Sequence, residues 1–284
     1  MSTMAQPVTR RSDAVREAGK FGAFLRRDVL IAWSYRVSFF SDWGSLAFQA
    51  GLFYLIGRMV DPSTLPTYGG SRATYMEFVA VGIAVSAFMA LAMVRVSTQL
   101  RQEQLTGTLE ALLLTPTTPT TIQLGSVAYD LVYIPVRTAI FLLVVGVAFG
   151  LRFEASGILP AALILLAFIP FVWGIGILSA AATLTVRRGT AAIAWLISLM
   201  TIASGAYFPL GVLPGWLEAI ARVNPITLAV GGMRSALLGG SERGDLGPTI
   251  GWLVLASAIA ITLGAFAFRL ALSRERRRGT LGQY

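Results

Sequence analysis

The sequence has no cysteine and no histidine, and only 13% of its 284 residues are charged. Without cysteine there is no disulfide and no thiolate nucleophile, and without either residue there is no His or Cys metal site. The lack of histidine also removes the usual general base of enzymes. No acidic residues pair on one face with a plausible metal geometry. We therefore predict neither a catalytic residue nor a metal site.

Lysine occurs once, at Lys20, and it does not belong to a phosphate-binding loop. Such a loop needs G-x4-G-K-[ST]. The sequence around this lysine reads AVREAGKF, which lacks the first glycine and the final Ser or Thr. The chain therefore carries no ATP site of its own, and we expect no cofactor on it.

Apolar residues dominate the sequence, at 55% of the chain with a mean hydropathy of +0.70. This balance is far from that of ordinary soluble domains and predicts an all-α polytopic membrane protein. Several apolar runs are close to or longer than the ~20 residues that a bilayer crossing needs. We predict one domain over residues 37–272 with six transmembrane helices at 37–59, 76–94, 122–150, 158–186, 190–207 and 250–272.

The two ends of the chain are more polar. Residues 1–14 are predicted to be disordered, and residues 273–284 to form a basic tail. Between 15 and 36 the basic residues fall on one side of a helical wheel, which favours an amphipathic helix lying at the membrane interface. A solvated cytoplasmic helix is the alternative.

The net charge of +9 comes almost entirely from arginine. With six spans, the segments on the side of the termini hold sixteen basic residues and the opposite segments hold six. This excess predicts that both termini are cytoplasmic, in a multi-pass protein of the cell inner (plasma) membrane. We assign the charge to topology and lipid headgroups rather than to nucleic acid.

A polar connector separates the second and third predicted spans. Residues 101–116 read RQEQLTGTLEALLLTP and end at a Thr-Pro pair, which disfavours further helix. Charges cost little at a membrane surface and much inside a membrane. We predict a short helix over about 99–115 on the water side, with a plain solvated loop as the alternative.

The run GTLEALLLTP resembles the GTLE-x-LL-x-TP element of the ABC-2 family of exporter permeases. The resemblance implies that this segment is the coupling helix, which docks on an ATP-binding subunit. It also implies two copies of that subunit, which hold ATP and Mg, and a second permease, which is either another copy in a homodimer or a related permease. The implied cargo is a drug, a lipid or a lipid-linked glycan. The implied coupling residues are Arg101, Glu103, Gly107, Thr108, Glu110 and Leu113.

Residues 208–238 contain three prolines and divide into two short helical pieces, at about 215–223 and 226–238. Neither piece can cross a bilayer. We predict a re-entrant helix pair that forms an outer lid between spans 5 and 6. The alternative is an ordinary extracellular loop with one surface helix.

The lid sequence is also similar to ABC-2 permeases. A small-residue segment at 203–206 is followed by N-P-I-T at 224–227 and a downstream arginine. Leu228 departs from the family, which usually has a polar or aromatic residue there. The lid residues implied by this resemblance are Pro209, Asn224, Pro225 and Arg234.

Two ionisable residues, Asp130 and Arg137, lie in the third predicted span. Their spacing of seven residues puts both on one face, about 10 Å apart along the helix. Charges within spans usually face protein or water. Either the pair lines a cargo route, or Arg137 has a structural partner on another helix, such as Asp42.

Two other functions remain open on the sequence alone. A gradient-driven secondary transporter needs partly unwound spans with ion ligands at the midplane. A membrane-embedded lipid transferase needs clustered acids near a membrane face. The prediction favoured here is a transport subunit without enzymatic activity of its own.

Overall fold

The computed structural model describes residues 22, 26, 29, 30, 34, 36–61, 63, 65–68, 70–105, 128–185, 189–239 and 245–278, and 84% of the described chain is helical. The predicted disordered segment 1–14, most of the predicted interfacial helix and residues 106–127 lie outside this part. The helices are α1 Arg36–Gly57, α2 Tyr75–Leu105, α3 Ala128–Phe149, α4 Ile158–Thr185, α5 Gly189–Ala203, α6 Gly215–Val223, α7 Pro225–Leu238 and α8 Gly247–Arg278; short 3-10 turns cover Ala155–Gly157 and Leu210–Val212.

Within the described residues, three helical segments are long and apolar enough to cross a membrane: Val132–Phe149, Ala155–Ala182 and Gly247–Ala271. Shorter apolar helical segments lie at Tyr75–Leu91, Ala194–Ala203 and Pro225–Leu238. The prediction of a nearly all-α membrane protein is therefore confirmed. The count of six spans stays a prediction.

A small β-hairpin lies where the sequence predicted only a loop between the first two spans. Strand β1, Thr67–Tyr68, pairs antiparallel with β2, Ser71–Arg72. Gly70 in the two-residue turn has a φ of 72°, and left-handed glycines are what such tight hairpins require. The predicted all-α fold is therefore corrected at these four residues, which form two short strands.

Helix α2 is longer than the predicted second span. It continues without a break from Tyr75 to Leu105, so the first residues of the predicted coupling helix belong to the same helix. At the other end of the chain, α8 extends to Arg278 and includes half of the predicted tail. The Ser-Arg-Glu-Arg run there is rich in helix-forming residues, and nothing in it ends the helix.

Helix α5 is shorter than the predicted fifth span, because it ends at Ala203 and not at 207. Gly205 has a φ of 71°, the left-handed conformation in which helices commonly end. Fifteen residues extend only about 22 Å, less than the ~30 Å of a hydrocarbon core.

The first half of α2 is the centre of the core. Phe78, Val79, Val81, Ile83 and Val85 are all fully buried. Helices α3, α4 and α7 pack around this segment. The middle of the molecule is thus an apolar helix covered by protein on every side.

Helices α4 and α8 form the closest helix pair. A Cβ on Gly174 would lie 2.4 Å from the carbonyl carbon of Ala260, and one on Gly264 would lie 2.6 Å from the Gly174 carbonyl oxygen. Small residues at such crossings let backbones approach closely, as is common between membrane helices. Pro170 interrupts the hydrogen bonds of α4 here, and the Ser257 hydroxyl of α8 donates to the Ala167 carbonyl, 2.8 Å away.

Candidate functional site: a cap held by one buried arginine

At one end of the helices the connecting segments fold into a layer that we call the cap. It comprises the hairpin 67–72, the segment 150–157, the turn 204–214, and helices α6 and α7. The hydrogen bonds below join α7, the segment 150–157 and the turn 204–214 to the first turn of α2. Helices α2, α3, α4 and α5 each have one end at the cap. Their other ends, away from the cap, are at residues 105, 128, 185 and 189.

Arg234 of α7 is the central residue of the cap. Its side chain is only 4% exposed. Nε donates to the Phe78 carbonyl at 2.9 Å, Nη1 to the Gly205 carbonyl at 2.9 Å, and Nη2 to the Ala206 carbonyl at 2.8 Å. One guanidinium therefore connects α7, the first turn of α2 and the turn after α5.

Carbonyl dipoles and an aromatic ring replace the water that this cation loses. The Arg234 Cζ atom lies 3.4 Å from the centroid of the Phe78 ring, within the range of a cation–π contact. The phenol of Tyr68, on the hairpin, is also nearby. Burial raises the pKa of Tyr68, and the Arg234 guanidinium partly offsets that rise. The cluster is built so that a buried charge is compensated by dipoles from distant parts of the chain.

The turn after α5 lies directly on α2. A Cβ on Gly82 would be 1.8 Å from the Ala206 carbonyl oxygen, so no other residue fits at position 82 without a backbone shift. The Tyr75 hydroxyl donates to the Tyr207 carbonyl at 3.1 Å. The small residues at 203–206, singled out in the sequence, thus occupy the closest approach between this turn and the core helix.

The Asn-Pro pair begins α7. The Asn224 Oδ1 atom accepts from the Ile226 N–H at 3.0 Å, an N-cap, and Pro225 stands at the first helical position, where an N–H is not needed. The Asn224 Nδ2 atom donates to the Met200 carbonyl at 2.7 Å, in the last turn of α5. This residue therefore both caps α7 and ties it to α5.

Glu77 has a structural role that the sequence analysis missed. It is buried, and its Oε2 accepts from the Thr74 N–H at 2.8 Å while its Oε1 accepts from the Arg152 N–H at 3.0 Å. The Glu77 N–H donates in return to the Thr74 hydroxyl at 3.3 Å. The signal was present as Thr-x-x-Glu before an apolar run, a capping box. The long-range hydrogen bond from the Arg152 N–H to Glu77 could not be predicted from the sequence around either residue.

The two helices of the predicted lid have different environments. Nine residues of α7 are buried, whereas in α6 only Ala221 is. Pro209 lies in the turn before α6 and is half-buried. The cap therefore contains one buried helix and one surface helix, and the re-entrant outer lid stays a prediction. Leu228, where the family pattern departs, packs on the core as an apolar side chain.

The side chain of Arg137, on α3, is buried within the described part of the protein. It is 4% exposed, and its Cζ atom lies 6.0 Å from the centroid of the Trp43 ring on α1. This contact places the guanidinium against another helix of the same chain, and the choice between a cargo route and a structural pair stays a prediction. Asp130 lies on the first turn of α3, and its side chain is outside the described part.

Of the predicted coupling residues, Arg101 and Glu103 lie in the last turn and a half of α2. Gly107, Thr108, Glu110 and Leu113 lie outside the described residues. The structure therefore does not test whether the six predicted coupling residues lie close together.

The nearly all-α fold and the apolar helices of the described residues indicate a multi-pass membrane protein. The sequence model of the ABC-2 type transporter family matches residues 20–238, which is more than half of the chain. The chain belongs to that family, and it is a transmembrane permease of the transporter class. The match ends at the last residue of α7. No curated protein matches the chain.

Proposed function

We propose that this chain is the membrane-spanning subunit of an ATP-driven exporter. In this proposal it crosses the inner membrane six times, has both termini in the cytoplasm, and pairs with a second copy of itself. Two copies of an ATP-binding subunit dock on residues 99–115 and hydrolyse ATP with Mg. The observation that carries the proposal is the family match over 20–238, which includes the coupling-helix pattern GTLE-x-LL-x-TP.

The position of the coupling segment supports this arrangement. Helix α2 begins in the cap and reaches Leu105 at the other end of the helices, so the described part of the proposed coupling segment, residues 99–105, lies at the end away from the cap. The basic residues are concentrated in the segments on that same side, which the positive-inside rule assigns to the cytoplasm. The cap then faces outward, where a permease needs a gate, and the coupling segment faces the ATP-binding subunits.

The proposed cargo is hydrophobic or amphiphilic: a drug, a lipid or a lipid-linked glycan. Arg137, which could attract an anionic cargo, is covered by its own chain and lies against Trp43. A route that does not use this cation suits apolar cargo better than a free anion.

The test is co-purification from the native host in mild detergent. We expect an ATP-binding subunit to co-purify and its ATPase activity to rise in the assembled complex. Glu110→Arg should abolish association or ATPase stimulation, because it reverses a charge in the proposed contact. Glu154→Arg is the matched control, since it reverses an exposed carboxylate at the opposite end of the molecule.

Either of two results would overturn the proposal. One is purification without any ATPase, together with a silent Glu110→Arg variant. The other is transport by the purified chain alone, driven by a proton or sodium gradient. Group transfer to a lipid without ATP would point instead to a membrane-embedded transferase.

A further inference from the structure

Helix α6 presents an apolar stripe that no other segment of the described residues covers. Trp216 is 70% exposed, Ile220 57% and Val223 74%, and Ala219 is exposed between them. At about 100° per residue, these four positions fall within about 100° of one side of the helix. Apolar surface concentrated in this way on a short helix indicates a partner.

The other sides of α6 are already satisfied. Ala221 is fully buried and Leu217 half-buried, which fixes the side that packs on the protein. Arg222 Nη2 and Glu218 Oε1 form an ion pair at 2.7 Å on a third side of the helix, centred about 130° from the stripe. The helix thus has one side toward protein, one polar side whose charges neutralise each other, and one apolar side.

We propose that α6 lies flat in the lipid interface of the membrane at the cap end, with the stripe Trp216, Ala219, Ile220 and Val223 in the acyl region. A helix of this pattern lies in the interface plane, with its apolar side inserted and its charges toward water. Only the identification of that leaflet as the outer one rests on the proposed function.

Lipid fits the stripe better than a second copy of the chain for two reasons. The first is that the cap end of the molecule already exposes another large apolar side chain, Trp252, which is 61% exposed in the second turn of α8. Tryptophan side chains collect at the boundary between acyl chains and headgroups. In addition, the charged residues of α6 pair with each other, so the helix presents no unpaired ion for a protein partner to complement.

The lack of cysteine in the chain allows a direct test with single nitroxide labels. We would place labels at Ala219→Cys and Val223→Cys on the stripe, and at Arg222→Cys as the neighbouring control on the polar side. Trp252→Cys serves as the reference for a lipid-facing position. Power-saturation spectra in phospholipid nanodiscs then compare collisions with oxygen, which partitions into lipid, and with a water-soluble nickel chelate.

We expect the ratio of oxygen to nickel accessibility at 219 and 223 to approach that at 252 and to exceed that at 222 severalfold. Nickel accessibility at 219 and 223 equal to that at 222 would overturn the proposal, because α6 would then lie in water. Low accessibility to both reagents, with spin–spin coupling between two copies, would overturn it in favour of a protein interface. These accessibility measurements need no ATP-binding subunit, so their outcome is independent of the exporter proposal.

Discussion

Helices α6 and α7 are neighbours in sequence, separated only by Asn224, yet they lie in opposite environments. Both are short, both have a proline at their start (Pro214 before α6 and Pro225 at the first position of α7), and both carry one arginine. In α7 the arginine is buried and bound to backbone carbonyls, whereas in α6 the arginine is exposed and bound to a glutamate one turn earlier. The comparison shows that long-range hydrogen bonds, and not apolar content alone, decide which helix enters the core.

The two arginines give the largest expected contrast. Arg234→Ala should lower the free energy of unfolding by about 4 kcal/mol. Three charge-assisted hydrogen bonds of about 1.5–3 kcal/mol each are lost, and part of that loss is offset because a buried cation no longer has to be desolvated. Arg222→Ala should change it by about 0.5 kcal/mol or less, since exposed ion pairs contribute little. Thermal unfolding in detergent measures both. Equal effects would show that the Arg234 cluster does not hold the cap together.

Two isoleucines provide the next contrast. Ile226 of α7 is fully buried, and Ile226→Ala should cost about 3 kcal/mol through lost burial and the cavity that remains. Ile220→Ala on the stripe of α6 should cost about 0.5 kcal/mol or less in detergent. The same unfolding assay compares them, and a large loss at 220 would mean that α6 packs on protein along its apolar side.

Two glycines test the close approach beneath the cap. Gly82→Ala should cost about 2 kcal/mol, because its Cβ would overlap the Ala206 carbonyl and force backbone to move. Gly231→Ala in α7 meets nothing within 4 Å and should be neutral or stabilise by about 0.5 kcal/mol through helix propensity. If Gly82→Ala proves harmless, the turn at 204–206 does not rest on α2.

The junction between α6 and α7 should show the smallest effect. Asn224→Ala removes both the N-cap and the bond to Met200 and should cost about 1 kcal/mol. Asn224→Ser keeps a capping oxygen but cannot reach the Met200 carbonyl, so it should recover only part of that loss. Hydrogen exchange at the Ile226 amide separates the two contributions. Protection that is unchanged in Asn224→Ala would contradict the capping role.

Local features of the cap could be read from sequence because their causes are local. Proline and glycine set the ends of α6 and α7, and the structure places them at Gly215–Val223 and Pro225–Leu238 where the sequence indicated 215–223 and 226–238. The overall class followed from composition and was confirmed. The six-span count, the coupling residues and the partners remain predictions.

The partners of the buried groups could not be predicted, since they depend on how distant segments meet. Arg234 was singled out by resemblance, but its acceptors lie on residues 78, 205 and 206 and are backbone atoms with no side-chain signature. The unequal burial of α6 and α7 follows from those contacts. The continuity of α2 to Leu105 was missed for another reason: its charged end lacks any helix-breaking residue before Gly107, while polarity alone suggested a boundary.

The unbroken length of α2 has a mechanical consequence. Thirty-one residues form a rod of about 46 Å, held near its first turn by Arg234 and Glu77 and extending to Leu105 at the far end. Because the first half of α2 is packed in the core, the helix can move only together with α3, α4 and α7. A rotation of about 5° about the cap end moves the Leu105 end by about 4 Å, most of the pitch of one helical turn.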